Sequence, residues 1–414
     1  MIDHIETIII GGGQAGLATS YCLMQRGHEH VIFEKADRVA DAWRNRWDSF
    51  TLVTPNWTIQ LPGAEYRGDD PNGFMNREEI VTYIEAYAER FDLPIEFGVT
   101  ATSVEPADAG YMVRTFNGDY HAKNVVIAAG FYQHPRVPAF CRKCTPGVYQ
   151  IHSSKYQNPE MLPKGAVLVV GSAQSGSQIA EELHESGRKV YLSVSETGRF
   201  PRRYRGKDVT EWIKKLGYFE RTVDQLPPSQ SKYASSAHGS GKNGGHTINL
   251  HQFARDGIQL LGHVANIEQD QIYLAPDLKQ SLAKADQYER DLIKEIDQYI
   301  EEKSLDIPDE TVPQLEDGYE VKETRRLSLN HADIRSIIWA TGYKCDYRWV
   351  KIPVFDKDGI PVHNRGASAW HGLYFIGLPF LYSGKSGLLA GAAEDANHIA
   401  SLITANEKVL QYTR

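Results

Sequence analysis

Two copies of one pattern predict an α/β fold for this chain of 414 residues. In each copy a short β-branched run leads into a glycine-rich turn, then a helix, then a second β-branched run. The copies read TIIIGGGQAGLATSYCLMQRGHEHVIFEK and GAVLVVGSAQSGSQIAEELHESGRKVYLSV. This order is typical of parallel sheets whose strand–turn–helix units hold a dinucleotide. The sequence therefore predicts two Rossmann-like dinucleotide-binding domains.

The first glycine turn has the spacing G-x-G-x-x-G after a strand predicted over Thr7–Ile10. Gly11 permits a tight turn, Gly13 lets the backbone approach a pyrophosphate, and Gly16 lets the helix pack against the strand. Glu34 ends the next predicted strand, where an acid can accept hydrogen bonds from a ribose. The predicted contacts of this first site are Gly11, Gly13, Gln14, Ala15, Gly16, Glu34, Lys35, Trp43 and Arg44.

The second glycine turn follows a strand predicted over Val167–Val170 and has Ala173 in place of the middle glycine. Two dinucleotide signatures in one chain indicate two dinucleotides, and the usual pair is a flavin and a nicotinamide dinucleotide. The predicted contacts in this turn are Gly171, Ser172, Gln174, Ser175 and Gly176.

An arginine cluster after the second unit bears on the choice of nicotinamide cofactor. Glu196 could bind a ribose 2′-hydroxyl, but Arg199, Arg202, Arg203 and Arg205 follow it closely. Guanidinium groups bind phosphate in a bidentate manner, which favours the 2′-phosphate of NADPH. We expect Arg199 and Arg203 to make this contact; a solvated basic loop is the alternative.

Two further small-residue turns, AAG and ATG, end predicted strands and are expected to abut the cofactors through Gly130, Thr341 and Gly342. A final helix is predicted near Leu388–Ile403, and its dipole would favour a reduced, anionic flavin ring. Contacts are expected from the residues that precede or begin this helix: Ser386, Gly387 and Leu388.

The pattern of elements divides the chain into three parts. Residues 1–160 are predicted to form the first part of a FAD domain, residues 161–330 an inserted NADPH domain, and residues 331–414 the rest of the FAD domain. The NADPH domain would carry an insertion near residues 226–305. This insertion would begin with a Gly-, Ser- and Pro-rich loop over Leu226–Leu250 and include a long charged helix over Lys279–Lys303, packed on the core or on another subunit.

Composition limits the partners and the location of the protein. The net charge is −8 with scattered basic residues, which argues against nucleic acid. No apolar run approaches the ~20 residues that span a bilayer, and the chain starts without signal-peptide features. Four cysteines are few for an oxidising compartment. We expect a cytoplasmic protein without nucleic-acid, membrane or metal partners, and the sequence leaves a homo-oligomer open.

Taken together, the motifs resemble the class B flavin-dependent monooxygenases, such as flavin-containing monooxygenases and YUCCA-like plant enzymes. The resemblance covers nearly the whole chain and is carried by GGGQAG, WRNRWDSFTLVTPNW, LPG, IHSSKY, VVGSAQSG and ATGY. It extends to a bacterial oxidoreductase subgroup often encoded beside nitrilase-like genes. The family fingerprint places a His before an aromatic residue, as His152 and Tyr156 are placed here, although Gly147 lies one residue earlier than the fingerprint glycine.

The resemblance implies an activity and two candidate catalytic residues. NADPH would reduce FAD, and O₂ would form a C4a-hydroperoxyflavin that oxygenates a small organic substrate. His152 would position NADP⁺ over the flavin, and Asn56, in TPNW, would lie near the flavin edge. A capping or core His and a turn-forming Asn are the structural alternatives.

Other functions stay open on the sequence. The displaced glycine is compatible with an NADPH-dependent oxidase or dehydrogenase that transfers no oxygen. Cys141 and Cys144 have the C-x-x-C spacing of a disulfide reductase, but they lie in a linker. A flavin-bearing redox sensor or scaffold that docks through the long helix is the third alternative.

Overall fold

The computed structural model describes residues 3–226 and 237–412, which form two large sheets with flanking helices. The helices of this described part are Gln14–Met24, Asp41–Arg44, Arg77–Arg90, Gln174–Glu185, Val209–Lys215, Leu250–Asp256, Leu278–Glu302, Asp317–Glu320 and Ala392–Tyr412. The two-residue strands are Gln60–Leu61, Ala64–Glu65, His134–Pro135, Arg203–Tyr204, Lys207–Asp208 and Tyr343–Lys344.

The first sheet has seven strands within the described residues and is parallel around its central strand, Asp3–Ile10. Ile8 and Ile9 in this strand have no exposed surface, as expected for a parallel strand covered on both faces. The strands in spatial order are Ile95–Phe97, His30–Glu34, Asp3–Ile10, Asp119–Ile127, Gly110–Thr115 and Ala101–Ala107, with Leu373–Phe375 also paired to Asp119–Ile127.

The second sheet is wholly parallel across the part of the chain that the structure describes. Its strands in spatial order are Tyr149–His152, Ile334–Trp339, Ala166–Val170, Val190–Ser193 and Gln259–Leu261. A small antiparallel sheet follows, formed by Val264–Glu268, Gln271–Leu274 and Arg326–Ser328. The predicted fold class, with one parallel unit around each glycine turn, is confirmed.

The boundaries of the second sheet differ from the domain limits that the sequence suggested. The second sheet includes Tyr149–His152 and Ile334–Trp339, which lie outside the predicted limits of 161 and 330. These two strands pair with each other across a long stretch of chain, so local sequence patterns could not join them. The predicted insertion near 226–305 also contains Gln259–Leu261, the edge strand of the second sheet. Residues 227–236 of the predicted loop lie outside the described residues.

The long helix Leu278–Glu302 matches its prediction closely. Leu282, Leu292 and Ile296 on its apolar side are buried, and the second half of the helix packs in a cluster with Trp212. The helix therefore packs on this chain's own core. The final helix begins at Ala392 rather than near Leu388, because the chain over residues 384–391 forms turns.

One buried arginine connects the two halves of the molecule. The Arg202 guanidinium donates to both carboxylate oxygens of Asp208 at 2.6 to 2.8 Å and to the Val53 carbonyl at 2.7 Å. It also lies 4.5 Å from the centre of the Phe74 ring. Val53 and Phe74 belong to the first half of the chain, so this group fixes the second domain against the first.

No helix of residues 3–226 and 237–412 has both the length and the apolar character needed to cross a membrane.

Removal of the Arg202 guanidinium should destabilise the protein strongly. Arg202→Leu leaves the buried Asp208 carboxylate without its cation, and breaking such a pair costs about 3–5 kcal/mol. Urea unfolding followed by fluorescence measures the loss. Arg348→Leu, which removes an exposed arginine paired with Asp346, is the control and should leave the unfolding curve nearly unchanged. Equal midpoints for the two variants would contradict the interpretation of Arg202 as a buried interdomain contact.

Candidate functional site

The first glycine turn is shaped by two contacts and one open position. Gly11 has a φ of 115°, and a Cβ placed there would lie 2.5 Å from the Ala128 carbonyl oxygen. A Cβ on Gly16 would lie 1.9 Å from the Gly11 oxygen, whereas one on Gly13 would meet no atom within 4 Å. Gly11 and Gly16 are thus required by packing. Gly13 instead leaves free space at the start of a helix, where a phosphate is favoured.

Glu34 lies beside this turn, as its position at the strand end predicts. Its carboxylate accepts hydrogen bonds from the Gly12 N–H at 2.6 Å and the Ala36 N–H at 2.9 Å. Gln14, the first residue of the following helix, donates from its side chain to the Gly387 carbonyl at 3.1 Å. The structure thus brings together predicted residues from three distant segments, and Ala15 is buried and Lys35 exposed in the same region.

The loop after the first unit holds two predicted contacts and a candidate catalytic residue. Arg44 pairs with Glu85 at 2.7 Å, and the partly buried Trp43 packs on this domain's core. Asn56 is 5% exposed, accepts from the Met75 N–H at 2.8 Å and donates to the Asp70 carbonyl at 3.0 Å.

These contacts show that the Asn56 amide closes the segment from Asp70 to Met75. These contacts give Asn56 a structural role in the loop, and its predicted place near the flavin edge stays a prediction. The amide holds a loop of the first domain together and thereby fixes the chain that follows Val53, where Arg202 binds.

The second glycine turn repeats the geometry of the first. Gly171 has a φ of 100°, and a Cβ there would lie 2.5 Å from the Ala340 carbonyl oxygen. A Cβ on Gly176 would lie 1.8 Å from the Gly171 oxygen. The Ser172 hydroxyl accepts from the Ser195 N–H at 3.0 Å, which ties the turn to the end of the next strand. The AAG and ATG turns thus supply the carbonyls on which the two glycine turns pack.

Two other predicted members of the second turn lie at the start of its helix. Gln174 exchanges hydrogen bonds with the backbone of Gly239, which comes from the segment after the undescribed residues. Ser175 is partly exposed beside it.

The arginine cluster is only partly available to a cofactor. Arg199 is 2% exposed, and its guanidinium pairs with Asp286 at 2.8 Å and Glu289 at 2.6 Å. Arg202 binds Asp208 in the same way. This corrects the expectation that Arg199 faces a phosphate, because its charge is satisfied inside the fold. Arg203 is exposed and donates to a backbone carbonyl at 2.9 Å.

His152 connects the linker to the ATG turn. The Ser154 N–H donates to Nδ1 at 3.1 Å, so Nε2 carries the proton and donates to the Gly342 carbonyl at 2.9 Å. Burial lowers the pKa of His152, which keeps the ring neutral near pH 7. The Thr341 hydroxyl donates to the backbone carbonyl of Arg136 in the same linker. His152 therefore acts on the ATG turn as a positioning residue.

The chain before the final helix forms a tight turn that contains the predicted residues Ser386, Gly387 and Leu388. The Ser386 hydroxyl is buried and accepts from the Tyr382 and Ser383 N–H groups, both at 3.1 Å. Leu388 is 43% exposed.

Asp395, which no sequence pattern indicated, is buried in the first turn of this helix, where burial raises the pKa of its carboxyl to about 6. The local sequence around Asp395 does not show that the carboxyl is buried. Only the packing of the helix reveals it.

The cysteines carry no cross-link in this structure. Cys141 and Cys144 are free, partly buried thiols, and burial raises the pKa of Cys144, which disfavours its reactive thiolate. Within residues 3–226 and 237–412, no group of three or more His, Cys, Asp or Glu side chains could hold a metal ion.

Known proteins resemble this chain in both sequence and fold. The family model described as pyridine nucleotide-disulphide oxidoreductase matches residues 8–226. The chain belongs to this family. An uncharacterized oxidoreductase, CzcO-like, from Geobacillus kaustophilus is 35% identical to it, over 96% of this chain and 98% of the relative. Indole-3-pyruvate monooxygenase YUCCA1 from Oryza sativa is 31% identical over 46% of this chain and 48% of its own length.

A flavin-containing monooxygenase from Stenotrophomonas maltophilia has the same fold, with a TM-score of 0.67 at 19% identity over 98% of this chain and 99% of its own. The protein is therefore a flavin-dependent oxidoreductase. Its predicted resemblance to class B flavin monooxygenases is confirmed at the level of the family.

Substitution of Gly13 should separate cofactor binding from folding. Gly13→Ala should fold normally but lose flavin, because the methyl group enters the free space beside the helix start. Flavin affinity should fall roughly tenfold or more, the cost of a mild steric clash. Absorbance of the purified protein measures flavin content. Gly16→Ala is the matched comparison and should lower thermal stability itself, since its Cβ meets the Gly11 oxygen. Unchanged flavin affinity in Gly13→Ala would show that this position tolerates a methyl group, as Ala173 does in the second turn, and that close approach of the pyrophosphate does not require Gly13.

The buried Asp395 should make stability depend on pH. Its pKa is raised in the folded state, so the folded protein holds the proton more tightly, and stability falls as pH rises from about 4 to about 6. Asp395→Asn should lose this dependence, and its stability relative to the original protein should increase by up to about 3 kcal/mol between pH 4 and pH 7. Urea unfolding across this range measures the change. Parallel pH profiles for the two proteins would show that the carboxyl titrates normally.

Proposed function

We propose that this protein is a FAD- and NADPH-dependent monooxygenase that uses O₂ to oxygenate a small organic substrate. The observation that carries the proposal is the duplicated glycine turn with the helix start that follows it. We call each of these units, residues 11–16 and 171–176, a cradle. In both copies a Cβ added to the first glycine would lie 2.5 Å from the carbonyl oxygen of a small-residue turn. Two such cradles in one chain provide separate sites for an electron donor and for the flavin that it reduces.

The first cradle fits FAD. The free space at Gly13 and the helix that starts at Gln14 suit a pyrophosphate. The Glu34 carboxylate, held by the Gly12 N–H, lies where a ribose hydroxyl can donate to it. The bond from Gln14 to Gly387 joins this site to the turn before the final helix, where the ring end of the cofactor would lie.

The second cradle fits a dinucleotide with a 2′-phosphate. The strand registers make Phe33 and Ser193 equivalent. Phe33 pairs with Ile10 and Ser193 pairs with Val170, and each of these partners is the last residue of the strand before a glycine turn. Val194 therefore occupies the position that Glu34 has in the first site. An uncharged residue there removes the carboxylate that would repel a 2′-phosphate. This supports NADPH.

The remaining charges near the second strand end agree with this choice. Glu196 pairs with Lys284 of the long helix, which neutralises the nearby carboxylate. Arg203 is the exposed member of the arginine cluster, and we propose that it binds the 2′-phosphate. Arg199 does not support the proposal, since its guanidinium is paired inside the fold.

A bound flavin would accept hydride from the nicotinamide and activate O₂, and the chain's own residues would orient the two cofactors. His152 holds the ATG turn through its neutral Nε2–H, and Arg202 fixes the second domain on the first. Both groups act by positioning the parts of the chain that would hold the cofactors.

An NADPH-dependent oxidoreductase without oxygen transfer is the alternative function. This alternative comprises oxidases, dehydrogenases and disulfide reductases. The displacement of Gly147 from the family fingerprint favours it, and so do the free thiols of Cys141 and Cys144 for the disulfide reductase. The free thiols of all four cysteines also support a reducing location, for which we propose the cytoplasm.

Rapid mixing with oxygen tests the monooxygenase proposal. Protein reduced by NADPH should, on mixing with oxygenated buffer, show a transient spectrum unlike that of oxidised or reduced flavin. Hydrogen peroxide should appear only as this spectrum decays, because the bound nucleotide shields the site from water. Stopped-flow absorbance and a peroxide assay measure the two events.

The control is the same protein reduced by light without nucleotide, in which the transient should be shorter-lived. A direct return to oxidised flavin with stoichiometric peroxide in both samples would contradict the monooxygenase proposal and favour the alternative.

A further inference from the structure

The turn before the final helix connects the first cradle with the second domain. We call this turn, residues 382–388, the junction turn. On one side the Gly387 carbonyl accepts from the Gln14 side chain of the first cradle at 3.1 Å. On the other side the Gly384 N–H donates to the Arg221 carbonyl at 2.9 Å. The conformation of the junction turn therefore bears on both halves of the molecule.

The contact with the second domain is close and involves the backbone. A Cβ added to Gly384 would clash with the Tyr218 carbonyl oxygen, so the two segments meet without an intervening side chain. The Lys385 N–H also donates to the Phe219 carbonyl at 3.2 Å. Because packed protein is nearly incompressible, a shift of the junction turn would also move the segment that it touches.

Ser386 holds the junction turn in shape. Its buried hydroxyl accepts from the Tyr382 and Ser383 N–H groups, both at 3.1 Å. A hydroxyl has one proton of its own to donate, and here that proton goes to the carboxylate of Asp395 in the first turn of the final helix. Asp395 is 3% exposed. Its carboxyl completes the hydrogen bonds of Ser386 and ties the junction turn to the helix.

Asp395 forms no ion pair with any residue that the structure describes. Burial raises the pKa of its carboxyl to about 6, and the neighbouring Glu394 carboxylate acts in the same direction. Arg365 and Lys385 act against this rise, but both pair with Glu394 at 3.0 Å. A buried acid with a raised pKa lowers the stability of the folded state near neutral pH. A group that disfavours folding in this way points to a role other than stability.

We propose that Asp395 is a positioning residue for the transfer of a hydride from NADPH to the flavin. The carboxylate fixes the Ser386 hydroxyl, the hydroxyl fixes the junction turn, and the turn sets the first cradle against the second domain. The hydride, two electrons and one proton, passes to the flavin and leaves NADP⁺, and Asp395 takes no part in this exchange of bonds. The inference rests on the proposed function, in which the ring end of the flavin lies at this turn.

The rate of flavin reduction in the absence of oxygen tests this role. Asp395→Ala removes the acceptor without adding volume, and the rate at saturating NADPH should fall roughly 10- to 100-fold, because hydride transfer depends steeply on the placement of the two cofactors. The dissociation constant of NADPH should change less than about threefold, since the second cradle stays intact. Anaerobic stopped-flow absorbance over a range of NADPH concentrations measures both quantities.

Three further variants separate the hydrogen bond from other effects. Asp395→Asn keeps an oxygen acceptor for Ser386 and should recover most of the rate. Ser386→Ala should lose as much as Asp395→Ala, and the double variant should lose no more, because both residues act through one hydrogen bond. Ser401→Ala is the matched control, since this serine of the same helix contacts Arg26 and the Asn397 carbonyl instead of the junction turn. Its rate should stay within about threefold of the original protein.

Hydrogen exchange gives a second measurement that needs no turnover. In the flavin-loaded protein without nucleotide, the backbone amides of the junction turn should exchange faster in Asp395→Ala and in Ser386→Ala, because the turn has lost a bond that holds it. Asp395→Asn and Ser401→Ala should match the original protein. Mass spectrometry of peptides that cover residues 380–390 measures the exchange.

Two results in the reduction assay would overturn the role of Asp395. One is an unchanged rate in a folded Asp395→Ala, and the other is an equal loss in Asp395→Ala and Asp395→Asn, which would implicate the charge instead of the hydrogen bond. Unchanged exchange in the junction turn would overturn the route through Ser386. Ser386→Ala leaves the helix sequence intact and decides the question if Asp395→Ala does not fold.

Failure of the wider proposal gives a different result. If NADPH does not reduce the flavin of the original protein, the proposed function is wrong and the role of Asp395 falls with it. If NADPH reduces the flavin and the variants behave as expected, but no oxygen intermediate forms, the monooxygenase activity is wrong while the role of Asp395 stands.

Discussion

The packing of each glycine turn on a carbonyl oxygen of a small-residue turn is the constraint on which the rest of the structure depends. Gly11 lies against Ala128, and Gly171 lies against Ala340, in each case so closely that no side chain fits between them. This contact joins the first crossover of each sheet to a strand that comes much later in the chain. At the first turn this packing leaves free space beside Gly13 at the start of the helix, where a phosphate is favoured.

Hydride transfer between two cofactors requires a fixed distance between the two cradles. Buried polar contacts between the domains fix this distance. Arg202 joins Asp208 to the Val53 carbonyl, and on another side Gly384 donates to the Arg221 carbonyl at 2.9 Å. The second contact ties the chain before the final helix to the second domain. Desolvating an ion pair is costly, so such contacts define one relative orientation more than they add stability.

Buried charges within the second domain fix the position of its long helix. Arg199 pairs with Asp286 and Glu289 of the long helix, and the Tyr319 hydroxyl donates to Asp286 at 2.5 Å. The network holds the helix beside the strand end where a cofactor ribose would lie. An arginine cluster that resembles a phosphate site in sequence is therefore partly a structural network, and Arg203 is the exposed member beside it.

The sequence by itself determined the two cradles, since glycine spacing and β-branched runs are local patterns. Gly11, Gly13 and Glu34 lie where those patterns place them. Tertiary structure alone decided which polar side chains are free. The pairing of Arg199 and the burial of Asp395 both depend on residues distant in the chain. The limits of the second domain also depended on such pairing, because parallel strands join segments whose separation no local pattern records.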